Sequence, residues 1–410
     1  MSQITVVDSL MGTGKTSWAI EYMNQNLDEN ILYVSPFLDQ DDRIIAACRY
    51  TRDFKKPINK GGGKLKSINK LFKGMSDIAS THELFKHLDD ESHKNIIDGQ
   101  YTLILDEVLN VVQKYDTQKN DIDILLESGC ITIENYFVKW NPEKKDYDSK
   151  YNEIKELSES NSLMCINDTT LIWRYPPEIF SIFKKVYILT YLFEASILKY
   201  YFDMNNISYD KKSIMQIRTT ETSECKYELC DYYIPYTSHF SGLIHIYEGK
   251  LNDSWIQKST SLSLTWFSDP SNKSHIKQLK NNIYNYLRNI MDAKSETIMW
   301  TTFKDYISKL KGKGYSSRFV SFNCRSTNDY VETYNLVYAV NVFVNPSIIH
   351  YFEQRNIKID KDLYALSEML QWIWRSRIRN GQDINIYIPS KRMRELLQKW
   401  ISGEIYNEIQ

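Results

Sequence analysis

Short, largely apolar runs punctuate the first 200 positions: "ITVV" at 4–7, "ILYV" at 31–34, "TLIL" at 102–105 and "VYIL" at 186–189. Continuous apolar runs of this length, without polar alternation, are the pattern of strands buried on both faces of a parallel sheet. "KTSWAIEYMNQNL" follows the first run and reads as a helix. The pattern lapses over 113–162, where polar and charged residues predict a decorated connection with a surface helix inside "NPEKKDYDSKYNEIKELSESNS". From 210 to 268 the chain alternates apolar and polar positions, as in "KSIMQIRTTE", "YELCDYYIPY" and "SGLIHIYEG", which predicts a small β-rich connection or insertion. Ile276, Leu279, Ile283, Tyr284, Leu287 and Ile290 then recur at helical spacing. Strands are expected again within "ETIMWTTF", "SSRFVSFN", "YNLVYAVNVFV" and "DINIYIPS". The expectation is an α/β protein of two tandem parallel-sheet domains, at 1–200 and 271–410, joined by a β-rich connection at 201–270.

Composition narrows the class without naming it. A formal charge of −1 over 410 residues, with 25% charged residues, excludes a globally cationic coat or a disordered acidic tail. Six scattered cysteines and seven histidines form no zinc spacing, so reduced structural thiols in a cytoplasmic chain are expected. No apolar run approaches the roughly 18 residues that a membrane span needs, so no membrane partner is expected. Local charge is less even. Arg49 to Lys73 carries nine lysines or arginines against one aspartate, around Gly61, Gly62 and Gly63. A basic loop gripping nucleic-acid phosphates through Lys64 and Lys66, or a solvated linker, fits this stretch.

The candidate chemistry begins at "SLMGTGKTSW", between the first strand and the first helix. Gly12 and Gly14 permit a tight turn whose backbone N–H groups, with those of Thr13 and Ser17, face a phosphate. Lys15 reaches the β and γ phosphates of a nucleotide, and Thr16 offers a hydroxyl to Mg²⁺. The glycine-rich start is shorter than the full GxxxxGKT pattern, but its strand–loop–helix setting is the one this chemistry needs. In "TLILDEVLNVV", Asp106 and Glu107 emerge at the end of a strand, where parallel sheets place ligands. Asp106 suits metal binding and Glu107 suits positioning a water; helix capping is the plain alternative. Ser35 and Pro36 end another strand, and Thr81 and His82 open "THELF", where a helix cap competes with a contact to a phosphate backbone.

The second domain has no phosphate loop of its own. Its strongest cluster is "LSEMLQWIWRSRIRNGQD", where Arg375 and Arg379 are four apart and share a face if the helix continues. They fit transition-state charge stabilisation across a cleft, with Gln371 a turn earlier as a sensor. A basic helix on nucleic-acid phosphates is the rival, and Trp372 and Trp374 read as packing residues. Arg325, Ser326, Thr327 and Asn328 follow a predicted strand as a polar loop suited to backbone phosphate, or simply to a strand-to-helix turn.

Taken together these motifs resemble the superfamily 2 helicases over most of the chain. "MGTGKT" and "LDEV" are similar to the first and second helicase motifs, "SPF" and "STHELF" to nucleic-acid contact motifs, and "LTYLFEAS" to a third. "IMWTTFKDY", "FNCRSTNDY" and "QWIWRSRIR" resemble the fourth to sixth. The loop and "LILDEVLNVV" look most like the helicase part of herpesvirus origin-binding proteins and related small bacteriophage helicases. The resemblance implies two RecA-like domains around an interdomain ATP cleft. It also implies ATP and Mg²⁺ as cofactors and DNA as polymer, with RNA second. A monomeric motor, with replication or recombination proteins as partners, follows from it. Trp374 stands where the sixth motif has glycine, and the last arginine is displaced to Arg379, which leaves the roles of Arg375 and Arg379 undivided. The sequence starts at its first strand, so no adenine-reading Q motif is expected upstream. A viral DNA-packaging ATPase and a nucleotide-regulated nucleic-acid-binding protein remain the alternatives.

Overall fold

The computed structural model describes residues 3–59, 63–144, 150–167, 169–218, 225–252, 255, 258–323 and 329–407. In the first lobe β1 (Gln3–Asp8) leads through a tight loop into α1 (Lys15–Gln25), followed by β2 (Ile31–Ser35) and α2 (Leu38–Cys48). Next come α3 (Gly63–Lys73), β3 (Ile78–Thr81), α4 (His82–Lys86), α5 (Asp90–Asp98) and β4 (Thr102–Asp106). The apolar runs are strands buried on both faces. Leu103 and Leu105 enter one core cluster while Ile104, between them, enters another, as the two-residue period of a strand requires.

After β4 the chain leaves for a separate layer: β5 (Val112–Lys114), α6 (Lys119–Glu127), β6 (Ile131–Glu134), β7 (Phe137–Trp140), α7 (Asn152–Glu159), β8 (Leu163–Ile166) and β9 (Thr170–Arg174). These five strands form one antiparallel sheet in the order β5-β9-β8-β7-β6. The polar connection expected at 113–162 is therefore a folded unit. Its own core joins Ile122, Leu125, Ile131, Val138, Trp140 and Ile154. Strands with one solvated face carry polar residues at alternate positions, which lowers the mean hydropathy that marked this segment as a connection.

The chain returns to the first sheet as β10 (Lys185–Thr190), α8 (Ile197–Met204), β11 (Asp210–Arg218) and β12 (Cys225–Asp231), completing the order β12-β11-β1-β10-β4-β2-β3. β13 (Ile244–Ile246) opens the second lobe, with α9 (Leu264–Ser268), α10 (Lys273–Tyr284), β14 (Ile298–Thr301), α11 (Ile307–Leu310) and β15 (Asn335–Tyr338). It ends with α12 (Pro346–Glu353), α13 (Lys361–Ile373), β16 (Ile384–Tyr387) and α14 (Lys391–Ser402), around a parallel sheet ordered β13-β16-β15-β14.

Residues 201–270 thus form no unit of their own: β11 and β12 extend the first sheet, and β13 belongs to the second. "SSRFVSFN" is a short 3-10 turn with a single bridge from Phe319 to Trp300, not a strand. The lobes also interpenetrate. Tyr351 and Phe352 of α12 lie in the main core of the first lobe, while Tyr191, Leu192 and Ala195 of the first lobe lie in the core of the second.

Candidate nucleotide site between the lobes

The loop after β1 turns at two left-handed positions, Gly12 (φ 83°) and Gly14 (φ 96°), where a side chain would be strained. At Gly14 space is as restrictive as backbone angle, whereas at Gly12 the nearest atom is at ordinary contact distance. A Cβ on Gly14 would fall 2.0 Å from the ring of Tyr227 on β12, and one on Gly12 would fall 3.6 Å from the carbonyl oxygen of Arg379. The backbone of the second lobe therefore closes directly over this loop.

Lys15 is the first residue of α1, and its Nζ donates to the carbonyls of Ser9 (2.5 Å) and Leu10 (3.0 Å). Burial lowers its pKa to about 8, against the supporting charges of Asp8, Asp106 and Glu107. Thr13 is committed inside the turn, donating Oγ1 to the Leu10 carbonyl at 2.8 Å. On the neighbouring strand end, Asp106 accepts a 2.6 Å hydrogen bond from the buried Tyr33 hydroxyl. Burial, and next the charge of Glu107, raise the Asp106 pKa to about 6, while the Tyr33 bond and Lys15 oppose that rise. Glu107 adopts φ 70°, uncommon for any residue but glycine, and its N–H donates to Leu189 O at 3.0 Å. That sharp turn ends β4 and aims two consecutive acids at one place.

A cavity of about 410 Å³ lies in front of these groups. Gly12, Lys15, Thr16, Asp106 and Glu107 line it from the first lobe; Gln371, Arg375 and Arg379 line it from the second. Thr13, Gly14 and Ser17 are not among the residues that line it. The expected continuous helix through both arginines is not formed: α13 stops at Ile373, Ser376 is extended, and Arg377–Asn380 is a separate 3-10 turn. Both arginines line the cleft across that break. Arg377 turns away to an ion pair with Asp383 at 2.6 Å. Arg379 sits in the field of Asp106 and Glu107, which support its charge, although burial and Arg43 lower its pKa. Trp372 is a packing residue bonded to Val320 O, and Trp374 both packs and lines the cavity.

The donor set fits a magnesium nucleotide. A hydroxyl and two carboxylates are hard oxygen ligands, and the Lys15 ammonium rests on two loop carbonyls that a phosphate can replace.

Other expected contacts are placed differently. Ser35 is fully buried, and its hydroxyl bonds Asp41 at 2.7 Å and Phe37 O, so it braces the strand end rather than facing a ligand. Pro36 is half-buried beside it. Thr81 caps α4 through Leu84 N (3.4 Å), with His82 next to it half-buried. Lys64 and Lys66 are exposed on α3, which replaces the loop expected there because Ile68 and Phe72 enter the core. Arg325, Ser326, Thr327 and Asn328 lie outside the described residues.

Five polar or charged contributors went unread, one of them Asp329, which lines the cavity from the second lobe. Asp39, Gln40 and Arg43 of α2 line the cavity, and the i, i+4 spacing of Asp39 and Arg43 just after a strand end was the signal for them. The fifth is Asp8, at the end of β1. It accepts N–H bonds from Leu192 (2.8 Å) and Phe193 (3.0 Å), with Lys211 at 3.9 Å. It thereby holds the elbow that carries Tyr191 and Leu192 (φ 58°) into the second lobe.

Two parallel-sheet lobes closing on a phosphate-type loop define the fold. The structure of S. tokodaii Xpd4 shares it at a TM-score of 0.50 and 11% identity, over 97% of this chain and 94% of that one. A structure described as an XPD helicase aligns at 0.49 and 12% identity, over 98% and 94%. The chain belongs to the YonV family. It is 40% identical over 421 positions to the SPbeta prophage-derived protein YonV of Bacillus subtilis (strain 168), covering 98% of this chain and all of that one. The YonV middle domain matches at 112–173, the antiparallel sheet, and the YonV C-terminal Rossmann-like domain at 238–401, the second lobe.

Proposed function

We propose that this protein is an ATP-dependent nucleic-acid translocase, with DNA as its preferred polymer and strand separation as its output. The observation that carries the reading is the single cavity in which Lys15, Thr16, Asp106 and Glu107 meet Gln371, Arg375 and Arg379 of the other lobe. Lys15 and the loop amides would hold the phosphates, and Glu107 would orient the attacking water. Thr16 and Asp106 would hold Mg²⁺, which offsets phosphate charge when bound. Arg379, with Arg375 behind it, would meet the charge that develops on the terminal phosphate. Both halves of the cleft come from one chain, which favours a monomeric motor.

The exposed lysines of α3 support nucleic-acid binding, and the prophage origin of the YonV relative supports a role in phage DNA replication or recombination. The finer likeness to herpesvirus origin-binding proteins rests on motifs in the sequence alone. No helix among the described residues is long and apolar enough to cross a membrane.

The test is ATP turnover with and without single-stranded DNA, duplex DNA and RNA, for the wild type and Lys15→Ala. Turnover is expected to rise with polymer and to fall about a hundredfold or more in the variant. Undiminished variant turnover would refute the pocket. Turnover indifferent to every polymer would refute the motor and leave a nucleotide-regulated protein.

A further inference from the structure

A second cavity, of about 340 Å³, opens where the antiparallel sheet meets the end of α8 and the segment after α12. Phe137 on β7 stands opposite Met164 on β8, and one guanidinium covers each. The Arg174 guanidinium carbon is 5.0 Å from the centre of the Phe137 ring. Arg355 reaches Met164 Sδ at 3.6 Å, lies 4.3 Å over the Tyr351 ring and donates to Tyr351 O at 2.8 Å. Among the described residues, neither arginine has a carboxylate at ion-pair distance, and the Arg174 Nε is buried without a hydrogen-bond partner. The one acid at the cavity, Asp203, is already engaged by Lys199 at 2.7 Å. Two partly buried cations facing one cavity, whose lining acid Asp203 is paired with a lysine instead, favour an anion from outside.

The rim supplies the rest of the recognition chemistry. Asn135 (φ 51°) and Tyr136 (φ 71°) form the tip of the β6–β7 hairpin, both left-handed as a type I′ turn demands. Asparagine accepts that conformation readily, whereas a bulky tyrosine there is strained. Tyr136 is nevertheless 53% exposed, with the Arg355 guanidinium 5.9 Å from its ring. Lys139 lies 5.7 Å from the Phe137 ring. Strain spent on showing an aromatic face to solvent, beside two uncompensated arginines, is the arrangement of a base-stacking platform with phosphate ligands.

We infer that this junction is a binding site for single-stranded nucleic acid, with Arg174 and Arg355 on successive backbone phosphates and Tyr136 stacking a base. The inference rests on the nucleic-acid reading of the nucleotide cleft, but it concerns a different surface. A strand is favoured over a free nucleotide because the cations and the aromatic lie along an open edge shared by three parts of the molecule.

The test is fluorescence anisotropy of the full chain with end-labelled (dT)20 over a salt series, for the wild type, Arg174→Gln/Arg355→Gln and Tyr136→Ala. Loss of two phosphate contacts should weaken binding about tenfold or more and reduce the salt slope by about 1.4. Tyr136→Ala should weaken it about fivefold or more; lying at an exposed tip, it reports on the site even if the double variant melts early. Wild-type affinity and slope in the double variant that melts normally, or in Tyr136→Ala, would overturn the assignment. Free dTMP binding as tightly as (dT)20, and lost in the same variants, would overturn the strand in favour of a mononucleotide. If the wild type hydrolyses ATP under (dT)20 stimulation while these variants bind normally, only this site is wrong. If the wild type neither binds nor responds to (dT)20, the reading beneath it fails as well.

Discussion

The two lobes share a parallel sheet with helices on both faces, yet their strand ends differ in kind. In the first lobe the carboxyl ends carry Asp8, Ser35, Thr81, Asp106 and Thr190. In the second they carry Ile246, Thr301, Tyr338 and Tyr387, and the hydroxyls of Thr301 and Tyr338 are buried without hydrogen-bond partners. The usual rule, ligands at the carboxyl ends of parallel strands, describes only the first lobe. The second reaches the same cavity from the broken exit of α13, with Gln371, Arg375 and Arg379. On the proposed reading, parallel architecture alone does not make a nucleotide lobe; charge at the strand ends does.

If that division is right, removing Arg379, a second-lobe cation held in the field of Asp106 and Glu107, should damage chemistry more than binding. Arg379→Ala is expected to lower kcat by about a hundredfold to a thousandfold, with a smaller change in KM for ATP. An unchanged kcat would leave the transition-state charge to Arg375, and an unchanged kcat in Arg375→Ala/Arg379→Ala as well would collapse the comparison to a one-lobe site.

Titration sharpens the same contrast, because the strongly shifted pair belongs to the first lobe. Asp106 loses its charge as pH falls through about 6, and Lys15 loses its charge as pH rises through about 8. Since kcat/KM reports the free enzyme, it should be bell-shaped with limbs near those values, falling about tenfold per pH unit beyond them. Stability moves the other way at each limb. Asp106 is raised above its ordinary 3.8, so its contribution is largest in acid and fades as pH rises toward 6. Lys15 is lowered below 10.5, so its contribution grows as pH climbs from 8 toward 10.5. Activity lost without a parallel drop in melting temperature would identify titration of the site rather than unfolding. A flat profile from pH 5 to 9 would remove both groups from the free-enzyme chemistry.

The legible parts of the sequence were those where one local rule decides the outcome. Buried strands such as β2 and β4 are continuous apolar runs, and Gly12, Gly14, Lys15 and the Asp106–Glu107 pair follow from turn geometry and strand-end chemistry. Features set by long-range packing were not legible. The antiparallel sheet hid in its own alternation, and the break after Ile373 came where residue spacing predicted continuity. Asp8 escaped notice because its partners, the N–H groups of Leu192 and Phe193, are more than 180 positions away. "SSRFVSFN" has the composition of a strand, but only Phe319 finds a bridging partner.

Asp8 also gives the smallest and most discriminating test, since it is a strand-end acid of the first lobe that faces the second. Its carboxylate holds the Leu192 elbow in a left-handed turn, and the elbow places Tyr191 where its hydroxyl accepts the Trp400 indole N–H at 2.7 Å. Ser9, the next residue, is a carbonyl rest for Lys15 (2.5 Å). Nucleotide loop and lobe boundary thus share two consecutive residues. Asp8→Asn keeps the volume but offers one acceptor oxygen in place of two, so one buried N–H of the elbow loses its partner. A looser elbow should transmit less of what the pocket binds. Polymer-stimulated kcat is expected to fall about five- to tenfold, at the lower end of the roughly one to three kcal/mol that an unsatisfied buried donor costs, while KM for ATP changes less than about twofold. The opposite split, a raised KM with stimulation intact, would mean that Asp8 acts only by supporting the Lys15 charge. The lobes would then be coupled through α12 and the shared apolar cores rather than through the strand end.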